Sequence, residues 1–383
     1  MGALNLEEKQ DYSKGLEGIV AGETRLSLVD GQAGRLYYAG IPVEDLISGG
    51  ATFEEVVYLL WFGKLPNRKE LTDFSNELAA NRDISPEIHS FLTSIPKKCH
   101  PMAMLRSAVS CLALYDPEAD NNSREANLRK GVRILAQLPT IIASFDRIRH
   151  RRTPIIPVKD LSHAANFLYL LTKRTPNPEH AKALDQYLIL LADHGYNAST
   201  FAARVTVSTL SDIYSGVVSA IGTLKGDLHG SANQHAMEMI LEIGEASRAE
   251  AYVKNLLNQK KKIMGFGHRI YKHHDPRALV FKEIAKRICR GTEFEKWYQI
   301  SEVVEAVVER EKHIPCNVDF YSASVLYAVG IPIDLFTTIF ALSRVAGWTA
   351  HTLEQLEDNR LIRPEARYTG RLNQPYVPIS QRG

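Results

Sequence analysis

The sequence is poor in cysteine. Four residues, at 99, 111, 289 and 316, stand among 383, and none forms a C-x-x-C pair. That excludes a disulfide framework and suits a reducing compartment. An excess of charge of one sign is missing too. Lys+Arg number 46 against 44 Asp+Glu, a net charge of +2, which argues against a chain made to coat nucleic acid or an anionic membrane. No long hydrophobic run occurs: the most apolar stretch, 198–224, is interrupted by Arg204 and Asp212, so no membrane span is expected. The first thirty residues hold no basic segment ahead of an apolar one, so no signal peptide is expected and the cytoplasm is the default. G-x-S-x-G and Walker A patterns are absent, which disfavours α/β-hydrolase and P-loop chemistry. What is present, 45% hydrophobic and 23% charged residues, is the composition of an ordinary globular protein of about two or three domains.

Residues 24–38 carry the one clear strand signal. Two β-prone runs flank Asp30-Gly31, which reads as a small hairpin. From there the apolar spacing is three to four residues almost throughout, over 102–115, 125–149, 160–173, 179–193 and 333–357. Thr52-x-x-Glu55 and Thr292-x-x-Glu295 read as capping boxes, and Ser231 as the cap of the next helix. Asp275-Pro276 reads as N-cap and first helical residue. Pro139 is expected to kink or end its helix. The fold class is all-α with a minor N-terminal hairpin.

Four residues of the second half have settings in which chemistry competes with plain structure. His229, in Gly226-Asp-Leu-His-Gly230, is either a satisfied loop histidine or a neutral imidazole at a helix start, able to donate to an enolate. His268, in Gly265-Phe-Gly-His268, is a loop histidine or part of a ligand loop; Ile270 and the lack of a preceding strand exclude a dinucleotide fingerprint. Arg277 opposes the helix dipole in a first turn. It either pairs with Asp275 or snorkels, or else anchors an anionic ligand. Asp319 is either the cap of a helix near 320 or a general base held ionised by that helix end. His273-His274, even with His268, lacks the spacing of a metal motif.

These segments together resemble the citrate synthase family, of the short bacterial and archaeal type that includes 2-methylcitrate synthases. The matching blocks are GDLHGSANQ (226–234), KIMGFGHRIYKHHDPRA (262–278), NVDFYSASVLYAVGIP (317–332), SRVAGW (343–348) and HTLEQLEDNRLIRP (351–364), with DHGYNASTFAARV (193–205) and the hairpin. The resemblance implies condensation of acetyl-CoA or propionyl-CoA with oxaloacetate and water. It implies Asp319 as the base, His229 as donor to the enolate oxygen and His268 as the acid at the oxaloacetate carbonyl. It implies His194, Arg277, Arg344 and Arg363 as the oxaloacetate anchors, with Arg363 serving a partner subunit. Ile263, Met264, Gly265, Phe266, Gly267 and Lys272 are implied at the CoA site. It further implies a large domain of 1–222 and 331–383, a small inserted domain of 223–330 that closes over the ligands, a homodimer without NADH control, and no cofactor or metal. His273 and His274 receive no role. From other classes, a metal-dependent helical hydrolase using His229, His268 and His273, or a non-catalytic helical binding protein, would compete with this reading. The acyl-CoA preference stays open.

Overall fold

A computed structural model describes residues 12–383. Its regular structure is helical apart from one small antiparallel sheet of β1 (Ser27–Asp30), β2 (Arg35–Tyr38) and β3 (Ile41–Pro42). The all-α expectation holds, with a third strand added to the hairpin. The turn differs from the two-residue Asp30-Gly31 reading. Residues 31–34 all belong to it, the Asp30 carboxylate accepts the Gln32 and Ala33 amides at 3.1 and 2.8 Å, and the left-handed position is Gly34, with φ 63°. No helix among the described residues is long and apolar enough to cross a membrane.

The helix Phe336–Glu357 is the central element. It is buried on every side from Phe336 to Leu353, polar Arg344 and His351 included. Around it pack the helices Phe53–Phe62, Arg124–Arg149, Pro178–Leu191, Ala198–Ser208 and Ile213–Leu224. The helices Ala232–Ile243, Ala246–Asn258, Pro276–Cys289, Glu295–Lys312 and Val318–Ala328 pack mainly on one another. The helix Arg124–Arg149 runs on through Pro139 instead of ending there. Its neighbours Leu135, Leu138, Ile141 and Ile142 are fully buried; at ~1.5–3 kcal/mol each they outweigh the ~3 kcal/mol cost of an interior proline.

Two caps also depart from expectation. Thr52 and Glu55 form their box, but at Thr292 no box closes, because the helix starts at Glu295 and its side chain reaches back to the Gly291 amide, 2.9 Å. Ser231 stands at the N-cap position with no capping bond. The sheet, meanwhile, holds a turn. The buried Tyr38 hydroxyl accepts the Asp193 N–H at 3.2 Å and lies 3.1 Å from the carbonyls of Ile189 and Asp193. Ser27 accepts the Gly195 N–H at 2.9 Å and donates to the Asp193 carboxylate. The turn between the helices Pro178–Leu191 and Ala198–Ser208 is thereby fixed, and it carries His194.

Candidate active site

His194 is buried, with Nε2 3.1 Å from the Tyr271 hydroxyl and its ring centroid 5.4 Å from that of His268. Burial, then the charges of Arg277 and Arg344, hold it well below the usual imidazole range, so it is neutral near pH 7. Behind it the Asp193 carboxylate accepts His351 Nε2–H at 3.2 Å, and His351 Nδ1 accepts Arg204 at 3.1 Å. That network locks the turn from the side away from the site.

His268 lies in the segment between Asn258 and Pro276. Its Nδ1 accepts the amides of both Ile270 and Tyr271 at 3.1 Å. Two donors at one nitrogen leave the ring proton on Nε2. Burial, then Arg277, push its pKa down to about 4. The Tyr271 ring stacks at 4.6 Å from it.

His229 sits in the turn ahead of Ser231. Ser199 presents its amide at 3.3 Å and its Oγ at 2.9 Å to His229 Nε2. The amide can only donate, so the proton sits on Nδ1. Trp348 Nε1 in turn holds Ser199 Oγ at 3.2 Å. The pKa is pushed down to about 4, as the sequence reading required, but the causes are burial and then Arg344, rather than the end of a helix.

Arg277 pairs with Asp275, as the first of its readings expected. Asp275 caps the helix Pro276–Cys289 as expected, and its carboxylate grips Arg277 Nε at 3.0 Å and Nη2 at 2.8 Å. The guanidinium is buried rather than snorkelling, and its Nη1 meets no acceptor among the described residues. Asp275 Oδ2 also accepts the Val318 amide at 3.1 Å, tying this helix to the one that bears Asp319. Arg344 is buried and donates Nε to the Leu191 carbonyl at 2.7 Å, while neither Nη atom meets an acceptor among the described residues. Burial pushes its pKa down to about 10. Two buried guanidinium groups with unfilled donors have the chemistry to pair with carboxylates.

Asp319 is not the cap. Asn317 is, accepting the Asp319 amide at 3.0 Å. The aspartate stands in the first turn of Val318–Ala328, where its Oδ1 is enclosed and without a hydrogen-bond partner among the described residues. Burial pushes the carboxyl up to about 7; Arg277 pulls it down, Asp275 pushes it up and Arg344 pulls it down. The expectation of a carboxylate held ionised by a helix end therefore gives way to one poised near neutrality.

The segment 263–267 is knitted to the strand-like stretch before Asn317: Gly267 N–H donates to Pro315 O at 3.0 Å, and Asn317 N–H to Gly265 O at 2.9 Å. Ile263 is buried, Met264 and Phe266 half-buried, and Lys272 exposed. Arg363 is exposed on the segment after Glu357, and among the described residues no hydrogen bond joins it to His194, Arg277 or Arg344. Among the described residues no group of three or more His, Cys, Asp or Glu is placed to hold a metal ion. Sequence reasoning missed Ser199, Tyr271 and the Asp193–His351 pair. For Tyr271 the only signal was its place inside GFGHRIYK; the others are long-range contacts that no local pattern carries.

The family model described as "Citrate synthase, C-terminal domain" matches residues 15–365. "Citrate synthase 2" of Bacillus subtilis is 50% identical over 371 residues, covering 97% of this chain and 99% of that protein. "2-methylcitrate synthase" of Mycobacterium tuberculosis is 42% identical over 370 residues, covering 97% and 93%. The citrate synthase of Thermoplasma acidophilum, solved as a ternary complex with carboxymethyl coenzyme A and oxaloacetate, superposes with a TM-score of 0.91 at 36% identity, covering 97% of this chain and 100% of that one.

Proposed function

Since this chain belongs to the citrate synthase family, whose enzymes condense an acyl-CoA with oxaloacetate and water, we propose that Asp319, His229 and His268 perform that condensation here. The observation that carries the assignment is the set of proton positions. Asp319 offers an enclosed carboxyl with a pKa of about 7, which is where a general base works best at neutral pH. It takes a proton from the α-carbon of the thioester. His229 donates Nδ1–H to the enolate oxygen as charge develops there. His268 donates Nε2–H to the oxaloacetate carbonyl while the enolate carbon attacks, and leaves the proton on the new hydroxyl. Water then hydrolyses the thioester: one of its protons returns to His268 Nε2, the hydroxide adds to the thioester carbon, and Asp319 gives its proton to the departing CoA sulfur, so that citrate and CoA leave with both side chains back in their starting states. Arg344, Arg277 and His194 hold the oxaloacetate, and residues 263–267 with Lys272 receive CoA. No step needs a metal or a further cofactor.

Residues 223–330 act as the small domain closing on 1–222 and 331–383, a division supported by the mutual packing of the five helices from Ala232 to Ala328. Closure excludes water while the enolate exists. The active species is a cytoplasmic homodimer. After Glu357 the chain leaves Tyr368 67%, Tyr376 82% and Ile379 75% exposed, apolar surface for which a second copy is the natural cover. Arg363 then completes the partner's site. Mixing Asp319→Asn and Arg363→Ala chains should restore part of the activity, since one site of each mixed dimer carries neither lesion. Verified heterodimers as inactive as both parents would remove the shared site.

Acetyl-CoA is the main acyl donor and propionyl-CoA a slower one, because a pocket separates one methylene by only ~1–3 kcal/mol. The direct test is CoA release from each thioester with and without oxaloacetate. Release that needs oxaloacetate and ignores EDTA is expected. Release that EDTA abolishes and zinc restores would overturn the reading, and faster turnover of propionyl-CoA would make this a 2-methylcitrate synthase.

A further inference from the structure

Two features of the sequence play no part in the condensation: the Asp30-Gly31 turn and the His273-His274 pair. The fold sets them face to face. Lys272 N–H donates to the Gly31 carbonyl at 3.3 Å. A Cβ at Gly31 would stand 2.4 Å from the Ile270 carbonyl oxygen and 2.7 Å from Ile270 Cγ2. Gly31 is not among the residues with left-handed φ, so its own backbone would accept an alanine. What excludes a side chain is the segment lying on it. At Gly34 a Cβ would stand 2.9 Å from His274 Cε1, so the His274 ring rests on bare backbone.

The contact reaches the chemistry in one step. Ile270, pressed on Gly31, and Tyr271 give the two amides that fix the tautomer of His268, and the Tyr271 hydroxyl meets His194. We propose that the β1–β2 turn is the seat of the catalytic segment 268–274. Gly31 and Gly34, having no side chains, set the height at which that segment docks, and so place the Nε2–H of His268 and the reach of Tyr271 to His194. Gly31 is a positioning residue, remote from the reacting atoms, and its role rests on the reading of His268 as the acid. The seat also explains why the hairpin exists in a helical protein: β1 and β2 hold the His194 turn from one side and receive the His268 segment with the turn between them.

The test is Gly31→Ala beside Gln32→Ala, an exposed neighbour in the same turn. A displacement of about 1 Å at a reacting group costs about 10²-fold in rate. Gly31→Ala is therefore expected to lower kcat by about that factor and to speed deuterium exchange at the Lys272 amide. Gln32→Ala should match wild type in both. Wild-type kcat and wild-type exchange in Gly31→Ala would overturn the seat. If Gly31→Ala melts early, His274→Ala decides, because it removes the other half of the contact without adding an atom. Lower kcat and faster Lys272 exchange are required of it, and wild-type values would overturn the proposal. A wild-type enzyme that releases no CoA in the presence of oxaloacetate would instead refute the proposed function, while Lys272 exchange in Gly31→Ala would still report on the seat.

Discussion

Asp319→Asn should lose about 10²–10⁴-fold in kcat, the range for removing a general base, and should fold as well as wild type or better. The amide nearly matches the carboxyl in shape, and the cap is Asn317, which is untouched. The sign of the stability change follows from the pKa. The folded value, about 7, lies above the ordinary 3.8, so the fold favours the protonated form. Ionising it costs stability, progressively as pH rises from about 4 to 7, and the cost stays constant above that. Asn removes the cost, so the variant should melt higher than wild type at pH 8 and equally at pH 4. Wild-type kcat/KM should rise with pH through about 7 as the base ionises, while all three histidines, already neutral there, add no opposing limb. Exchange of the acetyl-CoA methyl protons with deuterated solvent, beside a non-reactive oxaloacetate analogue, reads the base alone. Equal exchange in both proteins would take Asp319 out of the mechanism.

The second large effect separates the two arginines. Arg344→Leu should weaken oxaloacetate binding by about 1.5–3 kcal/mol, the worth of a hydrogen bond to a charged group, or ~10–150-fold. Its stability should hold, because burial already holds the guanidinium's pKa below its ordinary 12.5; the fold disfavours that charge and does not need it. Arg277→Leu should weaken binding as well, but it also strands the buried Asp275 carboxylate that two helices share. Breaking such a pair costs about 3–5 kcal/mol. Calorimetric titration with oxaloacetate and urea unfolding of both variants check this. Unchanged affinity in Arg344→Leu would remove it as an anchor, and an undisturbed urea midpoint in Arg277→Leu would mean that Asp275 is satisfied some other way.

The helices were legible because their signal is local. Periodicity located Pro101–Leu114, Arg124–Arg149 and Phe336–Glu357 to within a few residues, and Thr52 and Asp275 cap as their spacing foretold. Failures came where two local signals competed. Pro139 did not end its helix, because the buried residues around it carry the helix on. Thr292 lost the Glu295 side chain to the Gly291 amide. Asp319 yielded the cap to Asn317, two residues earlier, and a cap and a first-turn residue look alike in sequence.

The sequence by itself determined the helical class and the family, and it singled out the side chains proposed for the chemistry, because acid, base and guanidinium are properties of residue type and the motif blocks are contiguous. The tertiary structure alone decided the states in which those side chains work. Neutral His229 and His268 owe their low pKa first to burial, and then to Arg344, far along the chain, and to Arg277, nine residues on. Their tautomers come from Ser199 and from the amides of Ile270 and Tyr271. The carboxyl of Asp319 reaches about 7 because its surroundings withhold water and partners. Gly31 is required by a segment about 240 residues away that lies on it. Charge state, tautomer and close approach depend on what surrounds a group in space, and a linear pattern records only what precedes and follows it.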